Sequence, residues 1–227
     1  TRQHVCEPAP HQRRTKVYPW KNYNMKVIGF FHRMKKEFSQ IYQDKVWFGG
    51  SGSGSLPENT RAYRDFLQEY LKTHDVHRVL DIGCGDWQSS HLLDWSGIDY
   101  LGVDVVESVV KENQKAWGSD HIAFQVVDDL AHNLPDADLV LIKDVFQHWP
   151  NQAILDFLPR LQKYPHVLIT NTILGERCNE DIFVGDFRSV DLTKPPFFAS
   201  ANELLRYESF RPIKKVYETK AVIELVR

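Results

Sequence analysis

Hydrophobic residues along this chain follow two spacings, one typical of strands and one typical of helices. Short apolar runs bounded by polar or glycine-rich turns predict five strands, at about residues 78–82, 101–104, 122–127, 137–142 and 166–170. Between these runs, apolar residues recur every three or four positions, which predicts helices. Because strand and helix alternate five times, the pattern calls for an α/β fold with a parallel sheet.

Two helices are predicted before the first strand, and another after the fourth. Apolar residues recur at helical spacing from about Val27 to Tyr42, which predicts a basic amphipathic helix that packs on the body or on a partner domain. A second helix is predicted to begin near Thr60. In the helix after Pro150, Pro159 is expected to kink or end the helix, because proline has no N–H donor.

Residues 172–212 interrupt this alternation. They contain glycine, aspartate, arginine and two adjacent prolines, with little apolar periodicity. A loop of that length in a compact domain is usually functional or disordered. Two alternating runs follow at 213–217 and 222–226, separated by a short polar turn, and they predict a β-hairpin.

Composition limits the kind of protein. The chain has 227 residues, 42% apolar and 26% charged, which suits one α/β domain with extensions. Three cysteines at no metal-like spacing favour neither a disulfide framework nor a zinc site, and they fit a reducing compartment. No apolar run approaches the ~18 residues of a membrane span, and no signal-peptide pattern opens the sequence. A soluble, cytoplasmic protein is therefore expected.

The net charge of −2 hides an uneven distribution. Residues 1–50 carry 10 Lys and Arg against 3 Asp and Glu, whereas the remainder carries 18 against 27. An acidic body argues against nucleic acid as a partner, because phosphate binding depends on Lys and Arg. We expect residues 1–45 to form a basic extension, as a linker to a further domain of a longer chain, and residues 46–227 to form the main domain.

The segment 48–55, Phe-Gly-Gly-Ser-Gly-Ser-Gly-Ser, has two interpretations. Gly/Ser repeats are typical of flexible linkers. Its place after Trp47 and just ahead of the first predicted strand favours a lid that folds over a bound ligand. In that case Ser53 and Ser55 would supply hydroxyl and N–H donors.

The sharpest chemical signal is the run Val-Leu-Asp-Ile-Gly-Cys-Gly-Asp-Trp at 79–87. Two glycines one residue apart let the backbone turn sharply and present its N–H groups to a ligand. Asp104 ends the second predicted strand, 21 residues after Gly83, about where a ribose-binding carboxylate belongs. Gln88 stands where the dinucleotide fingerprint has a third glycine. A nicotinamide site, or a glycine turn that binds nothing, remains the alternative.

Together, these motifs resemble the first two motifs of the class I S-adenosylmethionine-dependent methyltransferases. The resemblance implies a Rossmann-like, doubly wound, mostly parallel seven-stranded sheet with an antiparallel C-terminal strand. It also implies S-adenosylmethionine as cofactor, with the glycine loop at the methionine portion, Asp104 at the ribose and Asp128 or Asp129 near the adenine. For each acid, a helix N-cap or a solvated turn is the alternative. The predicted cofactor residues are Asp81, Gly83, Cys84, Gly85, Asp86, Trp87, Asp104, Val105, Asp128, Asp129, Lys143, Ser53 and Ser55.

Residues 143–150 (K-D-V-F-Q-H-W-P) follow the fourth predicted strand, where this family usually places groups beside the transferring methyl. His148 can remove a proton near neutral pH, so it is the predicted general base, with Asp144 orienting the acceptor. A half-buried, hydrogen-bonded histidine is the alternative. Asp144 and Asn171 end the fourth and fifth predicted strands, where their oxygens, with waters and a substrate diol, could hold Mg²⁺ or Mn²⁺.

Acceptor recognition is expected in the 172–212 insertion, where carboxylates, an arginine and aromatic residues cluster. The predicted substrate-binding residues are Gln147, Asn171, Asp181, Arg188 and Asp191. Over roughly residues 46–227, the chain resembles a small methyltransferase subgroup associated with bacterial and large-DNA-virus glycan synthesis.

That resemblance implies methyl transfer to a sugar hydroxyl of a glycoside or oligosaccharide, for example a deoxysugar such as rhamnose. It also implies a cytoplasmic setting, that of the host if the source is viral, and a glycosyltransferase domain in the parent polypeptide. The alternatives are an N-methyltransferase of a small molecule or protein, and a catalytically silent cofactor-binding domain of a glycosyltransferase.

Overall fold

The computed structural model describes residues 23–127, 134–174 and 177–226. Within these ranges it contains four α-helices, α1 (Tyr23–Gln43), α2 (Arg61–Thr73), α3 (Glu107–Trp117) and α4 (Asn151–Phe157). It also contains seven strands, β1 (Arg78–Ile82), β2 (Asp99–Asp104), β3 (Ile122–Val126), β4 (Leu139–Lys143), β5 (His166–Thr172), β6 (Ala201–Arg211) and β7 (Val216–Leu225).

The strands form one sheet in the order β3-β2-β1-β4-β5-β7-β6. Strands β1 to β5 pair in parallel, and β7 pairs antiparallel with β5 and with β6. The sheet confirms the predicted mostly parallel, seven-stranded arrangement. The strand order reverses at β1 and β4, and open α/β sheets bind ligands beyond the carboxyl ends of the strands at such a reversal.

Helices cover both faces of the sheet, because successive residues of each strand point to opposite sides. In β4, Val140 faces one core, which includes Met34 of α1 and Ile154 of α4. The next residue, Leu141, faces the second core, with Leu67 of α2. All four helices and the five parallel strands therefore follow the doubly wound prediction, and α1 packs on the body.

The C-terminal hairpin lies elsewhere than predicted. The run 213–217 was expected to form a strand, but residues 212–215 form the turn, and Ile213 is 74% exposed. The first strand of the pair is β6, inside the supposed insertion. Its residues are mostly half-exposed or exposed, so β6 lacks the apolar alternation that marks a half-buried strand. The prediction of strand at 222–226 is confirmed in part, because β7 begins at Val216.

Pro159 ends the fourth helix as predicted. α4 stops at Phe157, and the chain continues as a 3₁₀ helix over Leu158–Lys163. Proline cannot donate the backbone hydrogen bond that would continue an α-helix there. Among the described helices, none has the length and apolar character needed to cross a membrane.

Candidate functional site

The glycine loop follows β1 directly and lies against Val145, two residues after the end of β4. Gly83 and Gly85 have φ angles of +73° and +56°, a region that L side chains rarely adopt. A Cβ on Gly83 would lie 2.5 Å from the Val145 side chain, and one on Gly85 would lie 2.4 Å from Oγ of Ser51. Glycine is therefore required at both positions by conformation and by space.

Asp104 lies beside this loop at the carboxyl end of β2. One of its carboxylate oxygens accepts a hydrogen bond from the backbone N–H of Gly85 (3.1 Å), and the other accepts from that of Val106 (3.0 Å). Burial raises the pKa of Asp104 above its usual value, although these donors oppose the shift. A carboxylate that keeps free lone pairs in a buried cleft suits hydroxyl donors of a ligand.

Asp81 lies within β1, below the loop. The hydroxyl of Tyr100 donates to its Oδ2 at 2.6 Å. Burial raises the pKa of Asp81 to about 6, although the hydrogen bond from Tyr100 and the nearby Lys143 ammonium oppose the shift. With a pKa of about 6, this carboxyl group is mostly ionised at neutral pH and can accept a hydrogen bond from a ligand ammonium.

Residues 49–55, here called the Gly/Ser strap, lie across the glycine loop. Ser51 and Asp86 are joined twice, since the Ser51 N–H donates to Asp86 Oδ2 (3.0 Å) and the Asp86 N–H donates to Ser51 Oγ (2.8 Å). Farther along, Nζ of Lys143 donates to the carbonyl of Gly54 (2.9 Å). A Cβ on Gly50 would lie 2.1 Å from Asp86 Oδ2, so glycine lets the strap approach the loop. These contacts hold the strap against the glycine loop and argue against a free linker; a lid over a bound ligand stays a prediction.

One cavity at this edge of the sheet brings most predicted site residues together. It is lined by the predicted cofactor residues Asp81, Gly83, Cys84, Gly85, Asp86, Trp87, Asp104, Val105, Lys143, Ser53 and Ser55. Asp144, Gln147 and His148 line it as well. Asp128 and Asp129 lie outside the described residues.

His148 lies in a short 3₁₀ turn after β4, next to Trp47, with the two ring centroids 4.8 Å apart. Its Nδ1 is 2.9 Å from the carbonyl oxygen of Asp186. Because a carbonyl only accepts, Nδ1 carries the hydrogen and Nε2 keeps its lone pair. Burial lowers the pKa of His148 to about 4, although the hydrogen bond to Asp186 opposes the shift. The imidazole is therefore neutral at physiological pH and able to accept a proton.

Asp144 does not fit the predicted metal site. Its carboxylate accepts from Lys143 Nζ (2.7 Å) on one oxygen and from Lys220 Nζ on the other. Burial by itself raises the pKa of Asp144, but the two ammonium groups outweigh burial, and the pKa falls to about 2. Two cations at one carboxylate repel a divalent ion, and no group of three or more acidic, His or Cys side chains among the described residues could hold one. Asn171 is buried within β5, paired with Ala221 of β7.

The predicted substrate residues of the insertion are not brought to the cavity. Arg188 is 1% exposed, and its guanidinium donates to the carbonyls of Phe146 and Trp149 and to Oδ1 of Asn151. Burial lowers the pKa of Arg188 to about 10, so it remains charged at neutral pH. Asp181 accepts from the N–H of Asn151. These side chains hold the insertion against the segment that carries His148.

Asp191 caps a local turn, accepting from the N–H and hydroxyl of Thr193 at 3.0 and 2.7 Å. Gln147 lines the cavity, but its Oε1 already accepts from the N–H of Thr172 at 3.2 Å. Gln147, Asp181, Arg188 and Asp191 therefore have structural partners in the described parts of the chain, whereas Oδ1 of Asn171 is buried without a hydrogen bond there.

Several residues that line the cavity were not predicted. They are Tyr42, Tyr63, Arg211, Glu218 and Lys220. Tyr63 is a buried residue of α2. Lys220 had a signal that could have found it, because extending the alternation of β7 back from Val222 puts a lysine on the buried face of the strand.

The family model described as "Methyltransferase domain" matches residues 80–161. The chain contains a methyltransferase domain. This stretch runs from β1 to the helix after β4. It therefore includes the cavity residues of the glycine loop, Asp104 and His148. The predicted enzyme class is confirmed. No curated protein sequence matches the chain.

Solved methyltransferases share the fold of this domain. A 1,6-didemethyltoxoflavin-N1-methyltransferase from Burkholderia thailandensis, with 1,6-didemethyltoxoflavin and S-adenosylhomocysteine bound, is 15% identical (TM-score 0.63, covering 88% of this chain and 91% of that one). The N-methyltransferase NodS from Bradyrhizobium japonicum, in complex with S-adenosylhomocysteine, is 12% identical (0.57, 87% and 99%). Magnesium protoporphyrin IX methyltransferase from Synechocystis, with bound S-adenosylmethionine, is 17% identical (0.51, 74% and 80%).

Proposed function

We propose that this methyltransferase domain transfers a methyl group from S-adenosylmethionine to a sugar hydroxyl of a glycoside or oligosaccharide. The observation that carries the proposal is the cavity itself, which joins the glycine loop, Asp104 and a neutral His148. When bound, the cofactor supplies an electrophilic methyl group on a sulfonium. What the protein has to provide is alignment of the acceptor and removal of its proton.

The residues present fit the cofactor. Glycine-loop N–H groups and the Asp81 carboxyl suit the amino-acid portion, and Asp104, with free lone pairs, suits the ribose hydroxyls. The Gly/Ser strap would then hold this part of the cavity away from water. The solved structures that share the fold and were obtained with S-adenosylmethionine or S-adenosylhomocysteine support the same assignment.

The acceptor half of the cavity offers both a flat aromatic surface and polar groups. Trp47 and Phe187 flank His148, and the Arg211 guanidinium lies 4.6 Å from the centroid of the Phe187 ring. Arg211 is also paired with Glu218 at 2.7 Å. Aromatic faces suit the C–H side of a sugar ring, while a carboxylate and a guanidinium suit its hydroxyls. This mixture supports a carbohydrate acceptor.

A neutral imidazole favours oxygen over nitrogen as the methylated atom. A hydroxyl must lose a proton during the transfer, whereas a neutral amine attacks without a base. As the new O–C bond forms, the oxygen becomes strongly acidic, so a base of pKa about 4 can take the proton late in the step.

We include in the proposal a glycosyltransferase domain in the parent polypeptide, next to the basic residues 1–45.

Activity against a panel of acceptors tests this function. The purified chain, given labelled S-adenosylmethionine, should transfer label to at least one nucleotide sugar or deoxysugar glycoside and to none of a matched set of amines and peptides. Transfer to amines or peptides alone would replace the sugar proposal with an N-methyltransferase. Cofactor binding without any transfer would favour the catalytically silent alternative.

Replacing Asp104 with alanine should weaken S-adenosylhomocysteine binding by about 1–3 kcal/mol, because ligand hydroxyls lose a buried acceptor. Calorimetry measures the effect. Asp136→Ala, an exposed carboxylate paired with Lys163, is the control and should bind normally. An unchanged affinity in Asp104→Ala, with the fold intact by circular dichroism, would remove Asp104 from the site.

A further inference from the structure

Lys220 is a buried cation that the reaction described above does not use. It lies in β7 opposite Thr172, the last residue of β5, so the antiparallel pairing puts it at the carboxyl edge of the sheet. The residue is 2% exposed and lines the same cavity as His148 and Tyr63. A Cβ on Gly54 would lie 2.8 Å from Lys220 Nζ, so the Gly/Ser strap closes over this ammonium.

The ammonium of Lys220 has fewer partners than burial requires. A lysine ammonium has three N–H donors. Among the described residues, the hydrogen-bond acceptor of Lys220 is one oxygen of Asp144. Lys143, by contrast, donates both to Asp144 and to the carbonyl of Gly54. A buried charge with unfilled donors is costly, which is the condition expected of a group kept for a ligand oxygen.

Asp144 is built to hold Lys220 in place. Its backbone has a φ of +61°, uncommon for a residue with a side chain, and its N–H donates to the carbonyl of Thr170 at 2.8 Å. Fixed in this way, its carboxylate lies between Lys143 and Lys220. Two ammonium groups share this one carboxylate, and Glu218 is a further carboxylate near Lys220.

Resting on the proposed function, we infer that Lys220 binds the acceptor through an oxygen next to the hydroxyl that is methylated. The neighbouring oxygen is the partner, because a charged donor on the attacking oxygen would draw electron density from its lone pairs and weaken its attack on the methyl group. Vicinal hydroxyls are common on sugar rings, and the second oxygen has no such constraint. The Lys220 ammonium also repels a cationic amine at the same position, which adds discrimination against nitrogen acceptors.

The charge of Lys220 predicts an alkaline loss of activity. The titratable or charged groups that face it are Lys143 of β4, Asp144 just after β4, Glu218 of β7, His148, and the phenols of Tyr63 and Tyr207, which approach Asp144. Burial lowers the pKa of Lys220 below its usual value, although Asp144 opposes the shift. Because the charged form binds the acceptor, binding should weaken as the pH rises through this lowered pKa.

The test changes the protein and the acceptor separately and then together, and compares the three effects on KM. With a glycoside that the wild-type chain methylates, Lys220→Met should raise KM about tenfold or more and leave the Kd of S-adenosylhomocysteine within about twofold. An acceptor in which the neighbouring hydroxyl is replaced by hydrogen should raise the wild-type KM by a similar factor. Combining the two changes should add nothing. Lys214→Met, on the exposed turn of the hairpin, is the matched control and should behave like wild type.

Outcomes separate this inference from the function it rests on. If the wild type methylates no glycoside of the panel, the proposed function fails before Lys220 is tested. If the wild type is active but KM in Lys220→Met stays unchanged, or the two losses are additive, the inference is wrong. If Lys220→Met does not fold, the wild-type protein alone decides. Its KM for the full glycoside should rise at alkaline pH, and its KM for the deoxy acceptor should not. An alkaline rise in KM with the deoxy acceptor as well would overturn the inference.

Discussion

Replacing His148 with alanine should reduce turnover by about 10²-fold or more while leaving cofactor affinity nearly unchanged. The imidazole lines the acceptor half of the cavity, and its Nε2 is the free proton acceptor because Nδ1 donates to Asp186. Single-turnover transfer of labelled methyl separates this chemical loss from binding. His77→Ala, an exposed histidine beside Asp75, provides the control and should retain activity. Wild-type turnover in His148→Ala would exclude His148 as the base.

The pH dependence gives a second check on His148. Burial lowers the pKa of His148 to about 4, so the neutral form persists throughout the range in which an exposed histidine titrates. The acceptor kcat/KM of the wild type, at saturating cofactor, should therefore show no loss near pH 6.5 from this group. Loss should set in only as the pH falls toward 4. An inflection at 6.5 that disappears in His148→Ala would contradict the buried, neutral state.

Replacing Arg188 with methionine should lower the free energy of unfolding by about 3 kcal/mol or more, and activity should fall with it. The guanidinium is buried and donates to Phe146, Trp149 and Asn151, so its loss removes three hydrogen bonds from a charged donor inside the fold. Two of these partners flank His148 in the chain. Urea unfolding measures the change, with Arg61→Met, exposed on α2, as control.

The alternative for Arg188 was substrate binding, and the two roles separate cleanly. A substrate-binding arginine would raise the acceptor KM and leave the unfolding free energy within about 0.5 kcal/mol of wild type, as for most surface substitutions. A stable Arg188→Met protein with a raised KM would therefore show that the insertion, and not Trp47 with Arg211 and Lys220, recognises the acceptor.

Local patterns in the sequence determined the parallel half of this protein. Apolar runs of five or six residues predict the central strands, because a strand that is buried on both faces consists almost entirely of apolar residues. The glycine loop and Asp104 could be located for the same reason, since they directly follow strands β1 and β2. His148 followed from its position after β4. In each case the location of the residue could be predicted from neighbours within a few positions in the chain.

Tertiary structure decided the rest. The edge strand β6 is too exposed to have a clear alternation, so its hairpin was displaced in the prediction. Local sequence predicts a metal ligand at Asp144, because Lys220, which pairs with it, is 76 residues away in the chain. Arg188 seemed free to bind substrate until the fold buried it against backbone carbonyls. A side chain's chemistry is set by the charges and dipoles that surround it, and the pairing of β7 with β5 brings Lys220 to Asp144 across 76 residues of chain.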